Sequence, residues 1–130
     1  MMVIDASAMI EALVGRRAED ELLDALQGDV HAPHLLDVEV LSVLRGLTLS
    51  GKLKSAAAEQ ACIDYLALTV ARYEVQPLAE RMWELRHNYT TYDAYYLALA
   101  EALAVPLYTC DQKLDGEGHR AQIKVVARSH

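Results

Sequence analysis

Four acidic side chains stand beside predicted secondary-structure elements in distant parts of the chain: Asp5, Glu39, Asp93 and Asp111. Carboxylates held close together raise one another's pKa, and a hard divalent cation with oxygen ligands is the usual resolution in proteins. Magnesium keeps several of its waters, so few of the carboxylates need to touch it directly. A metal held in this way can activate water for phosphodiester hydrolysis. The chain has no glycine-rich phosphate loop, no Ser/His/Asp set and no Cys/His metal pair at recognisable spacing.

Two of these acids also have a simpler explanation as helix caps. Thr90-x-x-Asp93 fits a capping-box pattern with Asp in place of Glu, and Asp111 is placed to cap a short helix at Gln112–Leu114. Taken alone, each acid is more often a cap than a catalyst. The catalytic interpretation therefore depends on other acids reaching the same place.

Glu39 lies within an apolar stripe of a predicted helix at Leu35–Leu49. The stripe is formed by residues at positions i, i+4, i+7 and i+11: Leu36, Val40, Val43 and Leu47. An unpaired carboxylate in such a stripe is costly, so Glu39 is either a site residue or an edge residue paired with Arg or Lys. The pattern leaves both interpretations open.

Five short apolar segments alternate with helical patterns, and no hairpin signal joins any two of them. The predicted strands are Met2–Ile4, 30–32, 70–75, Leu107–Thr109 and 123–127. This alternation predicts one α/β domain over residues 1–130, a three-layer fold with a parallel five-stranded sheet and helices on both faces. Ligands of such sheets bind beyond the carboxyl ends of the strands, where the strand order reverses. If the first and fourth strands are neighbours, Asp5 and Asp111 meet there, and the helices that begin near Glu39 and Asp93 can bring those acids to the same edge.

The composition excludes several classes of protein. The chain has 130 residues, of which 53% are hydrophobic, which is enough for a packed core and argues against disorder. No apolar run reaches the length of a membrane span and the N-terminus does not resemble a signal peptide, so we expect a cytoplasmic protein. The net charge of −7 argues against broad electrostatic binding of nucleic acid, although it allows a local basic rim. We expect Cys62 and Cys110 to be small buried hydrophobes, and Trp83 and the tyrosines at 89, 92, 95 and 96 to be core or interface residues.

Four sequence blocks resemble those of a known family: VIDASAMIEAL around Asp5, DVEVLSVLRGL around Glu39, TTYDAYYLALAEAL around Asp93 and LYTCDQKL around Asp111. Their order and spacing resemble the PIN-domain ribonucleases, and within them the VapC toxins of prokaryotic toxin–antitoxin pairs. The resemblance covers nearly the whole chain. It implies an endoribonuclease that depends on Mg²⁺, with Mn²⁺ as an alternative, and that uses no small-molecule cofactor. It also implies an RNA substrate, a homodimer, and inhibition by a VapB-like antitoxin.

The resemblance also implies roles for particular residues. Asp5 and Asp93 are expected to be the main metal ligands, and Glu39 and Asp111 to complete the acidic pocket. Three further residues match supporting positions: the hydroxyls of Ser7 and Thr109, and Asp115, which could equally be a turn residue. RNA contacts would depend on local cations, for which the sequence offers Arg16, Arg17, Arg45, Lys52 and Lys113.

Two other classes of protein fit parts of this pattern. A phosphoacceptor signalling domain also has a five-stranded parallel sheet with acids at strand ends, but it needs paired acids after the first strand, an Asp after the third and a Lys after the fifth. Here Asp5 stands alone and Gln76-Pro77 follows the third strand. A non-catalytic interaction domain would explain the acids as caps and surface charges, and metal binding would exclude it. A short upstream gene for a DNA-binding protein would favour the toxin.

Overall fold

The computed structural model describes residues 1–130 and contains one five-stranded parallel sheet with the strand order β3-β2-β1-β4-β5. The strands are β1 (Met2–Ile4), β2 (Val30–Pro33), β3 (Val70–Tyr73), β4 (Leu107–Thr109) and β5 (Ile123–Val125). The helices are α1 (Ala6–Val14), α2 (Asp20–Ala25), α3 (Leu35–Leu49), α4 (Ser55–Ala67), α5 (Ala79–Glu84) and α6 (Thr91–Leu103). Single 3₁₀ turns occur at Gln76–Leu78, Leu85–His87 and Gln112–Leu114. The predicted α/β fold with helices covering a parallel sheet is confirmed.

The strand order reverses between β1 and β4. The chain passes outward from β1 to β2 and β3, and then returns to place β4 on the other side of β1. Every residue of β1 and β4 is buried, as expected for central strands of a parallel sheet that is covered on both faces. Asp5 and Asp111 therefore follow neighbouring parallel strands, as the sequence predicted, and both lie at the switch point where ligands bind in such sheets.

Helix α3 turns most of the predicted stripe to the core, but not Val43. Its buried residues are Leu36, Val40 and Leu44, whereas Val43 is 37% exposed. Residues spaced by four lie almost in line along a helix, so this row faces the core and position 43 rotates to its edge. The sequence also predicts Ser55 as the cap of a helix at 56–68, whereas in the structure Lys54 is the N-cap residue of α4 and Ser55 is already helical.

Helix α6 is buried along most of its length, from Ala94 to Ala100. It begins at Thr90, whose hydroxyl accepts a hydrogen bond from the backbone N–H of Asp93. It ends at Ala104, which is exposed and adopts a left-handed conformation with φ 54°. The sequence predicts an inward face of this helix at Leu97, Ala100 and Ala104. Leu97 and Ala100 are buried, but the prediction is wrong for Ala104, because the chain has already left the helix there and turns toward β4.

Two further expectations were that both cysteines are buried and that no segment is long and apolar enough to span a membrane. Cys62 and Cys110 are free thiols, and both are partly exposed rather than fully buried. Burial nevertheless raises the pKa of Cys110 to about 11, so its thiol stays protonated at neutral pH. None of the helices combines the length and the apolar character needed to cross a membrane.

Glu101 on α6 joins α5 to the segment that precedes β5. Its side chain, only 7% exposed, accepts two hydrogen bonds from Arg81 at 2.7 and 3.0 Å. It also accepts one from the backbone N–H of Arg120 at 2.7 Å, just before β5. Burial alone would raise the pKa of Glu101, but these hydrogen bonds hold it below the ordinary value of 4.5. The charged carboxylate therefore stabilises the fold.

We expect Glu101→Gln to lower the free energy of unfolding at pH 7 by roughly 1.5–3 kcal/mol, the range for hydrogen bonds to a charged group. Because the folded-state pKa is depressed, this stabilisation is present above pH 4.5 and is lost as the pH falls. Urea unfolding at pH 7 and at pH 3 measures both effects, with Glu80→Gln on α5 as an exposed control. A difference from the wild type that grew at acid pH would contradict this assignment.

Candidate active site

Asp5 sits at the centre of the candidate site, at the end of β1 and at the N-cap of α1. Its carboxylate is 8% exposed and accepts hydrogen bonds from the backbone N–H of Ala8 at 3.0 Å and from the hydroxyl of Ser7 at 2.7 Å. The hydroxyl of Thr109 on β4 donates to its other oxygen at 2.5 Å. Oδ1 accepts two of these bonds and Oδ2 accepts one, so the bonds fix Asp5 and leave one lone pair of Oδ2 free to accept.

The same two hydroxyls join Asp5 to the segment that carries Asp111. The backbone N–H of Cys110 donates to the Ser7 hydroxyl at 2.8 Å, and the backbone N–H of Asp111 donates to the Thr109 hydroxyl at 2.9 Å. Ser7 and Thr109 thus hold the ends of β1 and β4 in one register. The resemblance implied that both hydroxyls support the first and last acids, and in the structure both donate to the carboxylate of Asp5.

Of the two acids with a simpler explanation, Asp111 is a cap, whereas Asp93 follows the cap residue Thr90. The Asp111 carboxylate accepts a hydrogen bond from the backbone N–H of Lys113 at 2.9 Å and begins the 3₁₀ turn. Asp93 lies in the first turn of α6, where its N–H is capped by Thr90 at 3.1 Å, and it is partly buried. Thr90 caps the backbone N–H of Asp93, so the carboxylate of Asp93 remains available for a role in the site.

Glu39 reaches the site from α3, and a tyrosine holds it. The hydroxyl of Tyr96 on α6 donates to one oxygen of Glu39 at 2.6 Å. Tyr96 is 2% exposed, and both burial and the nearby carboxylate raise its pKa far above the ordinary value for tyrosine. Tyr96 therefore remains a hydrogen-bond donor at every pH at which the protein is folded. The alternative of an Arg or Lys partner for Glu39 is wrong.

The electrostatics show that these acids lie within reach of one another. Burial raises the pKa of Asp5, and the charge of Asp93 raises it further. Burial and the charges of Asp5 and Asp93 raise the pKa of Glu39. Burial and the charge of Asp111 raise the pKa of Asp93. Mutual repulsion thus links all four carboxylates in one cluster, although they come from four separate segments of the chain.

The cluster has the chemistry of a site for a hard cation, but it is not a closed cage. All of its donors are carboxylate and hydroxyl oxygens, and a divalent cation would offset both the burial and the neighbouring charges that raise the pKa of Asp5, Glu39 and Asp93. No group of three or more His, Cys, Asp or Glu side chains stands close enough together to hold a metal ion directly. This arrangement fits Mg²⁺, which needs one or two direct carboxylates and keeps its other waters, and does not fit zinc.

The remaining residues from the sequence prediction lie at different distances from the cluster. Asp115 is exposed, and its charge raises the pKa of Tyr89 but of none of the four acids. Lys113 is the one cation whose charge lowers the pKa of an acid in the cluster, namely Asp93. The structure gives no contact between the acids and the other proposed RNA-binding cations, Arg16, Arg17, Arg45 and Lys52.

Tyr96 is the site residue that the sequence prediction missed. We expected the tyrosines to be core or interface residues, and Tyr95 and Tyr96 are indeed buried, whereas Tyr92 and Trp83 are 63% and 68% exposed. The available signal was that Tyr96 follows Asp93 by one helical turn, and that a buried tyrosine hydroxyl needs a hydrogen-bond partner. The sequence could not show that this partner is Glu39, 57 positions earlier.

Comparison with known proteins places the chain in a family. A sequence model described as "PIN domain" matches residues 2–116. Ribonuclease VapC9 of Mycobacterium tuberculosis is 42% identical over 129 residues, covering 98% of this chain and 100% of the relative. Ribonuclease VapC12 of the same organism is 37% identical over 129 residues, again covering 98% and 100%. The solved structure of a toxin–antitoxin complex from Klebsiella pneumoniae superposes with a TM-score of 0.59 at 23% identity, covering 87% of this chain and 88% of that one.

The match to the family model and the two close relatives over their full length agree with the arrangement of acids at the switch point. The chain belongs to the PIN-domain family and, within it, to the VapC ribonucleases.

Proposed function

We propose that this chain hydrolyses RNA phosphodiester bonds at the cluster of Asp5, Glu39, Asp93 and Asp111, with Mg²⁺ or Mn²⁺, as the toxin of a toxin–antitoxin pair. The observation that carries the proposal is geometric: acids from four separate segments, all buried or partly buried, with Asp5 and Asp111 following neighbouring parallel strands at the reversal of strand order. Burying acids together is unfavourable for the fold, and such an arrangement is typical of a functional site.

Each acid has a role that follows from its surroundings. Asp5, fixed by three hydrogen bonds, and Asp93, which is held only through its helix, would hold the cation. When bound, the cation supplies positive charge that neutralises the carboxylates and stabilises the developing charge on the phosphate. Glu39 and Asp111 would orient water and substrate through the oxygens that remain free. Ser7 and Thr109 keep Asp5 and Asp111 at a constant separation during this chemistry.

Water is the nucleophile in this proposal, and the ends of the RNA products test that directly. Attack of water on phosphorus breaks one P–O bond and leaves a phosphate on one product and a hydroxyl on the other. Attack by the ribose 2′-hydroxyl would instead leave a 2′,3′-cyclic phosphate. We expect mass spectrometry of the products to show no cyclic phosphate, and a 2′-deoxy substitution at the scissile nucleotide to be cut. Cyclic phosphate ends would contradict the proposed chemistry.

RNA binding in an acidic protein must rest on local contacts. Lys113 is placed for such a contact, because it is exposed and acts on Asp93 at the edge of the cluster. A panel of transfer, ribosomal and messenger RNAs would identify the substrate. VapC20 of Mycobacterium tuberculosis is described as a sarcin–ricin loop cleaving toxin, so that ribosomal loop belongs in the panel.

We further propose that a VapB-like antitoxin masks the acidic cluster. A toxin that cleaves RNA without control would harm its host, and a cluster of carboxylates is a natural receptor for an arginine guanidinium. We expect the product of the adjacent gene to co-purify with this chain, and an arginine substitution in that partner to release RNA cleavage. A chain that is tolerated by its host when expressed alone at full activity would contradict the toxin assignment.

A homodimer is the remaining part of the proposal. Large apolar side chains on α3 and α4 are exposed to an unusual degree: Val38 at 66%, Leu49 at 70%, Ile63 at 61% and Leu66 at 66%. A contiguous apolar patch marks an interface, and we propose that these side chains form one that is covered in the dimer. Light scattering should give a mass of two 14.4 kDa chains, and a monomer would exclude the dimer.

A further inference from the structure

Glu39 is held in place by a single protein donor, the hydroxyl of Tyr96. The 2.6 Å hydrogen bond joins Oη of Tyr96 to Oε1 of Glu39, and no other side chain or backbone N–H donates to this carboxylate. A free glutamate side chain has three rotatable torsions, and fixing them costs conformational entropy. A rigid, buried hydroxyl on the neighbouring helix removes most of that freedom before any ligand arrives.

The backbone that carries Glu39 is fixed by a separate set of contacts. Two residues earlier, Asp37 accepts hydrogen bonds from Arg72 on β3 at 2.8 and 3.0 Å. It also accepts one from the hydroxyl of Tyr65 on α4 at 2.5 Å. Residues two apart point to different sides of a helix, so Asp37 anchors the start of α3 while Glu39 remains available on another side.

We propose that Tyr96 is a positioning residue for the cation site: it orients the Glu39 carboxylate through Oε1 and so leaves Oε2 for the cation or its waters. The proposal rests on the proposed function. Tyr96 does not touch the reacting atoms and acts only through Glu39. Its position one turn after Asp93 on α6 means that one helix both supplies an acid to the cluster and aligns a second acid from α3.

Direct Mn²⁺ binding in the absence of RNA tests this role. Electron paramagnetic resonance counts free Mn²⁺ in a titration of metal-stripped protein, and its readout does not depend on cleavage. We expect Tyr96→Phe to weaken Mn²⁺ binding by about 10–100-fold, the range for residues that orient metal ligands. The matched control is Tyr95→Phe, which removes the neighbouring hydroxyl. Tyr95 is 5% exposed and donates to the backbone carbonyl of Tyr73, away from the acids, so its Mn²⁺ affinity should stay within about twofold.

A double-mutant cycle separates positioning from general damage to the fold. On a Glu39→Gln background, Tyr96→Phe should cause no further loss of Mn²⁺ affinity, because the two residues act as one unit. A third variant, Glu39→Asp, keeps both the charge and Tyr96 but shortens the side chain away from the hydroxyl. It should lose affinity to a similar extent, and it provides the test if Tyr96→Phe does not fold.

The possible outcomes distinguish this inference from the function on which it rests. Wild-type binding of Mn²⁺ together with unchanged affinity in Tyr96→Phe would overturn the positioning role and leave the proposed function intact. Equal losses in Tyr95→Phe and Tyr96→Phe would also overturn it, because the effect would then be one of packing. A wild-type protein that binds no Mn²⁺ would refute the proposed cation site itself, and the positioning role with it.

Discussion

Asp93→Asn is expected to abolish RNA cleavage while the protein stays folded. The substitution keeps the shape of the side chain and the backbone N–H that Thr90 caps, but it removes the charge. If Asp93 is only a cap, the change should be nearly neutral for activity. If it holds the cation, cleavage should fall by roughly two orders of magnitude or more, the scale of losing a main electrostatic contributor.

The same variant should lose activity without losing stability. Burial and the charge of Asp111 both oppose ionisation of Asp93, so the native charge is unfavourable in the metal-free protein. These two effects act against the favourable interaction of an acid with a helix N-terminus, which is worth about 0.3–1 kcal/mol. We therefore expect the Tm of Asp93→Asn in chelator to equal or exceed that of the wild type. Added Mg²⁺ should raise the Tm of the wild type and not that of the variant.

Asp115→Asn is the matched control for both measurements. It makes the same chemical change in an exposed acid that contributes to none of the pKa shifts of Asp5, Glu39 and Asp93. We expect it to keep cleavage and the response to Mg²⁺. A loss of activity in Asp115→Asn equal to that in Asp93→Asn would show that Asp115 belongs to the site. A fully active Asp93→Asn would end the interpretation of Asp93 as a cation ligand.

Glu11→Ala is expected to cause a large loss of stability. The side chain of Glu11 is fully buried on α1, yet it is charged and its partners come from the last two residues. Oε1 accepts from the backbone N–H of Ser129 at 2.6 Å and lies 2.9 Å from Nδ1 of His130, and Oε2 accepts from the Ser129 hydroxyl. A Cβ at Gly15 would lie 2.4 Å from Oε2, so the absence of a side chain there leaves room for the carboxylate.

Burial alone would raise the pKa of Glu11, but the hydrogen bonds from Ser129 and His130 hold it below the ordinary value of 4.5. Removing this anchor releases the C-terminal segment from the helix that begins at Asp5. We expect a loss of about 2–4 kcal/mol at pH 7, from lost hydrogen bonds to a buried charge and the void left behind. Because the pKa is depressed, this stabilisation is present above pH 4.5 and disappears as the pH falls.

Urea unfolding at pH 7 measures the effect of Glu11→Ala, and Glu59→Ala on the exposed face of α4 is the control. The control should change the free energy of unfolding by less than about 0.5 kcal/mol, as surface substitutions generally do. An equally small change in Glu11→Ala would mean that the C-terminal segment contributes little to the fold.

The fold was predictable because its determinants are local. Short apolar strands such as β1 and β4 alternate with helical patterns, and this alternation permits few topologies other than a parallel sheet. The adjacency of Asp5 and Asp111 then follows from the reversal of strand order. The face of α3 was predicted less well, because an apolar pattern wider than the buried row does not show which residues lie at its edge. Val43 is one such residue.

The sequence indicated which acids belong to the candidate site, but it did not indicate their hydrogen-bond partners. In the sequence, Asp93 and Asp111 fit both a capping role and a catalytic role, and in the structure only Asp111 caps with its side chain. The hydrogen bonds that align the site span long distances in sequence, as from Tyr96 to Glu39 and from Thr109 to Asp5. No local sequence pattern predicts such contacts, so sequence analysis assigns a buried tyrosine to the core unless its hydrogen-bond partner is known. The same holds for Glu11, whose partners Ser129 and His130 lie 118 and 119 positions later.

Cleavage by metal-stripped protein, with and without added cation, tests the central claim most directly. The protein would be dialysed against chelator, returned to buffer, and given a panel of structured RNAs with Mg²⁺, with Mn²⁺, or with chelator. We predict cleavage at defined positions with either cation, none in chelator, and recovery when Mg²⁺ is restored. Cleavage that persists in chelator at the same positions would contradict the account, because the four carboxylates would then have no cation to hold.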